Sequence, residues 1–159
     1  MLALFQAKKK ETPRLGTLRQ LQLFATLSPF ELRVVDALLH ERRYLSGEII
    51  FDEGEDGQAL YVILSGRVLI CRQGEPETGR LTEIAAGAEF GELALLDNAP
   101  RSAQARAAED CVLASLARAD FESLLDTHAV TASKIALQLA RQLGRQLRDR
   151  APPAERRPL

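Results

Sequence analysis

From Leu15 to Phe24 the apolar positions 15, 18, 21 and 24 recur at close to helical spacing. The stretch LSPFELRVVDALLHERRYL continues that period through Leu32, Val35, Leu38 and Leu39. Ahead of them Ser28, Pro29 and Glu31 stand in the order of an N-cap, a first-turn proline and a capping-box carboxylate. Two short helices are therefore expected before residue 45. From Tyr44 onward the period shortens. GEIIF, ALYVILSG, RVLICRQ, RLTEIAAG, AQARAAE and CVLASLAR are short β-type runs, separated by glycine-bearing turns at 52–57, 65–66, 73–79 and 85–87. Strands at this spacing indicate a sandwich, jelly roll or barrel. Alternation places Val68, Ile70 and Arg72 on one face of a strand and Leu69 and Cys71 on the other, while Cys111, Leu113 and Ser115 share a face. After Arg118 the pattern turns helical again. Asp120 is a candidate cap for a helix through FESLLDTH. A longer helix is expected from about Val130 to Arg148, with Ala132, Ile135, Ala136, Leu139, Leu143 and Leu147 forming one stripe. The tail APPAERRPL is proline-rich and charged, and disorder is expected there.

Composition narrows the class. The 159 residues are 46% apolar and 27% charged, enough for one domain with one real core. No apolar run approaches the roughly 20 residues that span a bilayer. MLALFQAKKKE puts its charges after its apolar residues, the reverse of a secretory signal. Cys71 and Cys111 fit a reducing compartment and read as small hydrophobes on strands. A cytoplasmic location is expected. The net charge of -1 divides into about +4 over residues 1–20, +4 over 141–159 and -9 between them. The basic ends suit solvated helix ends or contact with an acidic partner. The acidic body argues against a broad DNA-binding face and requires a locally built positive site for any anion.

Catalytic and metal motifs are absent from the sequence, and an enzyme is not expected. The two histidines, His40 in the expected N-terminal helical region and His128 near a helix end, are too few for a jelly-roll metal centre. No resident cofactor or metal is expected.

One stretch interrupts the strand pattern: Phe90-Gly91-Glu92-Leu93-Ala94-Leu95-Leu96-Asp97-Asn98-Ala99-Pro100-Arg101-Ser102-Ala103. It reads as a glycine, a short helical turn, a polar turn, a proline and then a return to strand. Gly91 lets a ligand approach the backbone closely. Arg101 offers a planar fork that matches phosphate oxygens. Ser102 adds a hydroxyl, and Glu92 a carboxylate that can accept from a sugar hydroxyl. An enclosed Arg101–Glu92 pair would limit the cost of burying either charge. A sugar bearing a phosphate is the ligand type that suits this set.

FGELALLDNAPRSA resembles the phosphate-binding cassette of cyclic nucleotide-binding domains, as found in catabolite-activator-type regulators and in regulatory subunits of cyclic-AMP-dependent protein kinase. LSPFELRVVDALL and GEIIFDEGEDGQALYVILSGRV are similar to the family's upstream segments, and the resemblance covers roughly residues 20–148. It implies an α+β fold: a β-jelly-roll barrel flanked by N-terminal helices and a long C-terminal helix. The chain then divides into a basic extension (1–14), the cyclic nucleotide-binding domain (15–150) and a tail (151–159). The resemblance further implies that Arg101 binds the cyclic phosphate and Glu92 the ribose 2′-hydroxyl. Ser102 and Ala103 would lie near the phosphate, with Phe90, Gly91, Leu93 and Ala94 in the same cassette. Leu69, Leu81 and Thr82 are weaker candidates for the base and sugar pocket, and Ser133, Arg141 or Arg145 for the lid. Ser102, in place of threonine, favours cyclic AMP over cyclic GMP. The expected output is a repositioned C-terminal helix that meets a protein partner, in a monomer or a homodimer formed through that helix. No DNA-binding domain is expected in the sequence. The alternatives are a sensor-fold interaction module that binds no cyclic nucleotide, or the effector part of a transcription regulator.

Overall fold

The computed structural model describes residues 12–72 and 81–151. Helix α1 (Pro13–Gln20) and a single 3-10 turn (Gln22–Phe24) lead to α2 (Pro29–Leu38). Eight strands follow among the described residues: β1 (His40–Tyr44), β2 (Ile49–Phe51), β3 (Ala59–Ser65), β4 (Arg67–Cys71), β5 (Leu81–Ala85), β6 (Glu89–Phe90), β7 (Gln104–Ala107) and β8 (Cys111–Ala117). Between β6 and β7 lies a second 3-10 turn, Glu92–Leu95. Helices α3 (Arg118–Thr127) and α4 (Ala129–Arg150) complete the described chain.

The strands form two antiparallel four-stranded sheets, ordered β1-β8-β3-β6 and β2-β7-β4-β5. Their facing sides enclose Tyr44, Ile63, Val68, Phe90, Ala105, Ala107, Cys111 and Leu113. The other face of β3 and β8, through Leu60, Val62, Ala114 and Leu116, packs against the helices. Both faces of these strands are covered, which is why ALYVIL and CVLASL read as nearly continuous apolar runs. This is the jelly roll with flanking helices that the sequence suggests.

The capping box of α2 is present. The Ser28 hydroxyl accepts from the Glu31 N–H at 3.2 Å, and the Glu31 carboxylate accepts from the Ser28 N–H at 2.6 Å. Glu31 also accepts from Lys134 Nζ on α4 at 2.9 and 3.0 Å. The stripe on α4 buries Ala132, Ile135 and Leu139 completely, half-buries Ala136 and Leu143, and leaves Leu147 72% exposed.

Four features differ from the expectations. Residues 40–44 (HERRY) form an edge strand and not the end of a helix, so His40 is a strand residue. Only Tyr44 of the five is buried, and solvated charges at a sheet edge carry no apolar period to be read. Asp120 does not cap α3. That helix starts earlier, at Arg118, with Ala117 in the cap position, and the Asp120 carboxylate lies 3.7 Å from His40 Nε2. Helix α1 begins at Pro13, inside the stretch expected as an extension. There Arg14 pairs with the buried Asp36, donates to the Asp36 carbonyl at 2.8 Å and reaches Glu41 at 2.9 Å. Helix α4 is slightly longer than expected at both ends. The turn at 73–79, most of the basic extension and nearly all of the tail lie outside the described residues. Among the described residues, no helix is long and apolar enough to cross a membrane.

Candidate functional site

Strand β6 delivers the chain to Gly91, whose φ of 73° lies in the left-handed region that glycine alone adopts freely. The chain then turns through Glu92–Leu95 and returns as Pro100 and Arg101. Arg101 folds back on Gly91: Nη1 donates to the Gly91 carbonyl at 3.2 Å and Nη2 to the Ala59 carbonyl at 2.7 Å. A Cβ on residue 91 would sit 2.7 Å from Arg101 Nη1, so glycine is needed for contact as well as for conformation.

Aromatic rings support this arginine. Its guanidinium carbon lies 4.0 Å from the Phe51 ring centroid and 5.8 Å from that of Tyr61. Tyr61 stacks on Phe90 at 5.3 Å, and Phe51 is tilted against both. Burial pulls the Arg101 pKa below its ordinary value, while Tyr61, Glu55 and Glu92 act in the opposite direction. The group remains a cation, since arginine is not deprotonated in proteins.

Arg101 borders a cavity of about 370 Å³, lined also by Ile50, Phe51, Glu55, Asp56, Gln58 and Tyr61. That volume is within the range of small-ligand pockets, about 300–1,000 Å³. The loop between β2 and β3 is stitched to the cassette by its backbone. Gly54 N–H donates to the Arg101 carbonyl at 2.8 Å, Arg101 N–H to the Glu55 carbonyl at 2.7 Å, and Asp56 bridges Pro100. A second arginine ties this loop to the cassette turn from the start of α3. Arg118 Nη1 donates to the carbonyls of Gly57 (2.7 Å), Asp97 (2.8 Å) and Ala94 (3.3 Å), and Arg118 N–H donates to Gln58 O at 2.7 Å. The carbonyls of residues 57, 58 and 59 are thus all taken by Arg118 or Arg101.

The structure brings Gly91, Glu92, Ala94 and Arg101 together. Glu92 is half-buried and acts electrostatically on Arg101, but the two form no direct ion pair. The expected enclosed pair is absent because the Arg101 terminal nitrogens turn to backbone carbonyls. Ala103 is buried, Ser102 and Leu93 are exposed, and Phe90 belongs to the core between the sheets. Leu69 falls on the wrong side. Val68 and Ile70 pack into the interior cluster, so the strand's two-residue period turns Leu69 away from it. Thr82 pairs with Ile70 and shares its side of the sheet, and Leu81 pairs with Cys71. Ser133, Arg141 and Arg145 are exposed on α4. Phe51, Tyr61, Gln58 and the acidic pair Glu55–Asp56 were not foreseen at the site. The alternation of Tyr61 with buried Leu60 and Val62 was the available signal.

Residues 41–128 match the sequence profile of the cyclic nucleotide-binding domain. The chain belongs to the cyclic nucleotide-binding domain family. This cyclic nucleotide-binding domain is 39% identical over 124 residues to the cyclic AMP receptor protein of Thermus thermophilus, covering 76% of the chain and 56% of that relative. It thus spans little more than half of that relative's length. In fold it is similar to the N-terminal domain of a transcriptional regulator from Streptomyces coelicolor, with TM-score 0.75, 26% identity and coverage of 89% and 99% of the two chains. It is also similar to the regulatory domain of Toxoplasma gondii protein kinase A crystallised with cAMP, with TM-score 0.62, 34% identity and coverage of 69% and 42%.

Proposed function

We propose that this domain binds a cyclic nucleotide, cyclic AMP in preference to cyclic GMP, and passes the binding event to a protein partner through α3 and α4. One observation carries the reading: a half-buried arginine, held on its ring face by Phe51, borders a ligand-sized cavity at the Gly91 turn. Arginine has five N–H donors. Two terminal nitrogens of Arg101 donate to carbonyls, and the remaining donors can meet the cyclic phosphate. Glu92 accepts from the ribose hydroxyl. Gly91, Leu93, Ala94, Ser102 and Ala103 form the surrounding backbone. Ile70 and Thr82, rather than Leu69, face the base and sugar, while Phe90 serves as packing beneath Tyr61. Ser102 supports the adenine preference through the family resemblance, and the cyclic AMP named for the Thermus and Toxoplasma relatives supports it independently.

The output runs through Arg118, which grips the cassette turn and is itself the first residue of α3. The exposed end of α4 around Leu147 is where a protein partner or a second copy is met.

Calorimetric titration of nucleotide-stripped protein with both cyclic nucleotides, with Arg101→Ala as control, tests the reading. Saturable binding, tighter for cyclic AMP, is expected, and the variant weakens it by at least about thirtyfold, the cost of leaving a buried charge unpaired. A folded protein that binds neither nucleotide overturns the proposal.

A further inference from the structure

We infer that the acidic pair Glu55–Asp56, stitched beside Arg101, makes this pocket select a phosphodiester carrying one negative charge over a phosphomonoester carrying two. The inference rests on the proposed nucleotide binding and concerns what the same pocket rejects. Of the cavity's lining side chains, Arg101 is the cation and Glu55 and Asp56 are acids. The backbone that carries these carboxylates is tied to the arginine. The Gly54–Arg101, Arg101–Glu55 and Asp56–Pro100 backbone links fix their loop to the two residues that present the guanidinium. Arg118 holds the next residue of the same loop through the Gly57 carbonyl.

A cyclic phosphate is a diester with a single charge, which one guanidinium balances. Ring opening produces a monoester whose second ionisation, near pH 6, adds a second charge at neutral pH. That charge finds no second cation among the lining residues and faces two carboxylates. A like charge at such a site weakens binding, as it does in designed specificity against a wrong partner. The domain would then distinguish a cyclic nucleotide from its own hydrolysis product by charge as well as by shape.

The test compares cyclic AMP, adenosine 5′-monophosphate and the methyl ester of that monophosphate, by titration of the whole chain in wild-type and Glu55→Gln/Asp56→Asn forms. The methyl ester is open-chain but singly charged, so it separates charge from ring shape. The wild type is expected to bind the ester more tightly than the monophosphate. The double variant should gain about tenfold for the monophosphate, or 1.4 kcal/mol, and only about threefold for cyclic AMP, which carries half the charge. In the wild type, raising salt should narrow the gap between ester and monophosphate, because these carboxylates are exposed and screened. Wild type that binds cyclic AMP but shows the same monophosphate affinity in both forms, or a salt-independent gap, overturns the charge filter and leaves nucleotide binding standing. Wild type that binds no cyclic nucleotide removes both.

Discussion

The guanidinium of Arg101 lies 4.0 Å from the centroid of the Phe51 ring while its two terminal nitrogens donate to the carbonyls of Gly91 and Ala59. Its face and part of its edge are thereby held before any ligand arrives. A partly desolvated cation–π contact of this kind contributes about 0.5–2 kcal/mol. Phe51→Leu keeps an apolar side chain but removes the π face, and should weaken cyclic nucleotide binding by roughly three- to thirtyfold. Phe51→Trp should retain most of the affinity. Titration of both variants, with melting curves to confirm folding, checks this. Equal affinities for the leucine and tryptophan forms would show that Phe51 acts through volume alone.

Gly91 and Gly87 separate backbone strain from contact. Both have positive φ, 73° and 88°, but an added Cβ meets Arg101 Nη1 at 2.7 Å at position 91 and nothing within 4 Å at position 87. Alanine at either position should cost about 1–2 kcal/mol of stability from the left-handed conformation. Only Gly91→Ala should also displace Arg101 and weaken ligand binding. Comparable binding by the two folded variants would contradict the close Gly91–Arg101 fit.

Arg118 joins the cassette turn to α3 through the carbonyls of Ala94, Asp97 and Gly57. Replacing it with alanine removes charge-assisted hydrogen bonds and should destabilise the fold by about 2–3 kcal/mol. Ligand affinity should move only a few-fold, because the cavity is lined by other residues. Hydrogen exchange over residues 120–148 should respond to ligand in the wild type and much less in the variant. An undiminished response would mean that the coupling runs elsewhere.

The Glu31 carboxyl is held below its ordinary value of 4.5, chiefly by the Lys134 ammonium and then by the Ser28 N–H. A depressed carboxylate pKa stabilises the native state above the unfolded value, and that contribution is lost as pH falls through the folded one. Glu31→Gln keeps an acceptor for the cap but loses the charge. It should cost less than about 1 kcal/mol at pH 7, given that Lys134 is partly solvated. It should also reduce the loss of stability on acidification below about pH 4.5. Denaturant unfolding of both forms at pH 7 and pH 3 measures this, and identical losses on acidification would refute it.

What could be read in advance follows from which signals are local. The Ser28–Glu31 capping box and the cassette turn are contiguous, and both stand in the structure where the residues suggest. The apolar runs of β3 and β8 were legible because both of their faces are covered. Strand β1 was not: its order comes from pairing with β8, a partner 75 residues away at the His40–Ser115 end of the register, and its own residues are charged. Alternation separated Leu69 from Ile70 but carried no sign telling which faced inward. The role of Phe51 was hidden for a similar reason, since its contact with Arg101 joins the end of β2 to the loop before β7, which only the pairing of those two strands brings together.

Strand β8 ends at Ala117 and α3 begins at the next residue, and a single residue, His128, separates α3 from α4. Neither junction has slack. Helix α4, with 22 residues, is about 33 Å long at 1.5 Å per residue. A rotation of roughly 10° about His128 therefore sweeps its far end through about 6 Å. On the proposed coupling, motion at the cassette would not be absorbed by a flexible tether, and the helix would act as a lever whose long arm magnifies a small displacement beside Arg101.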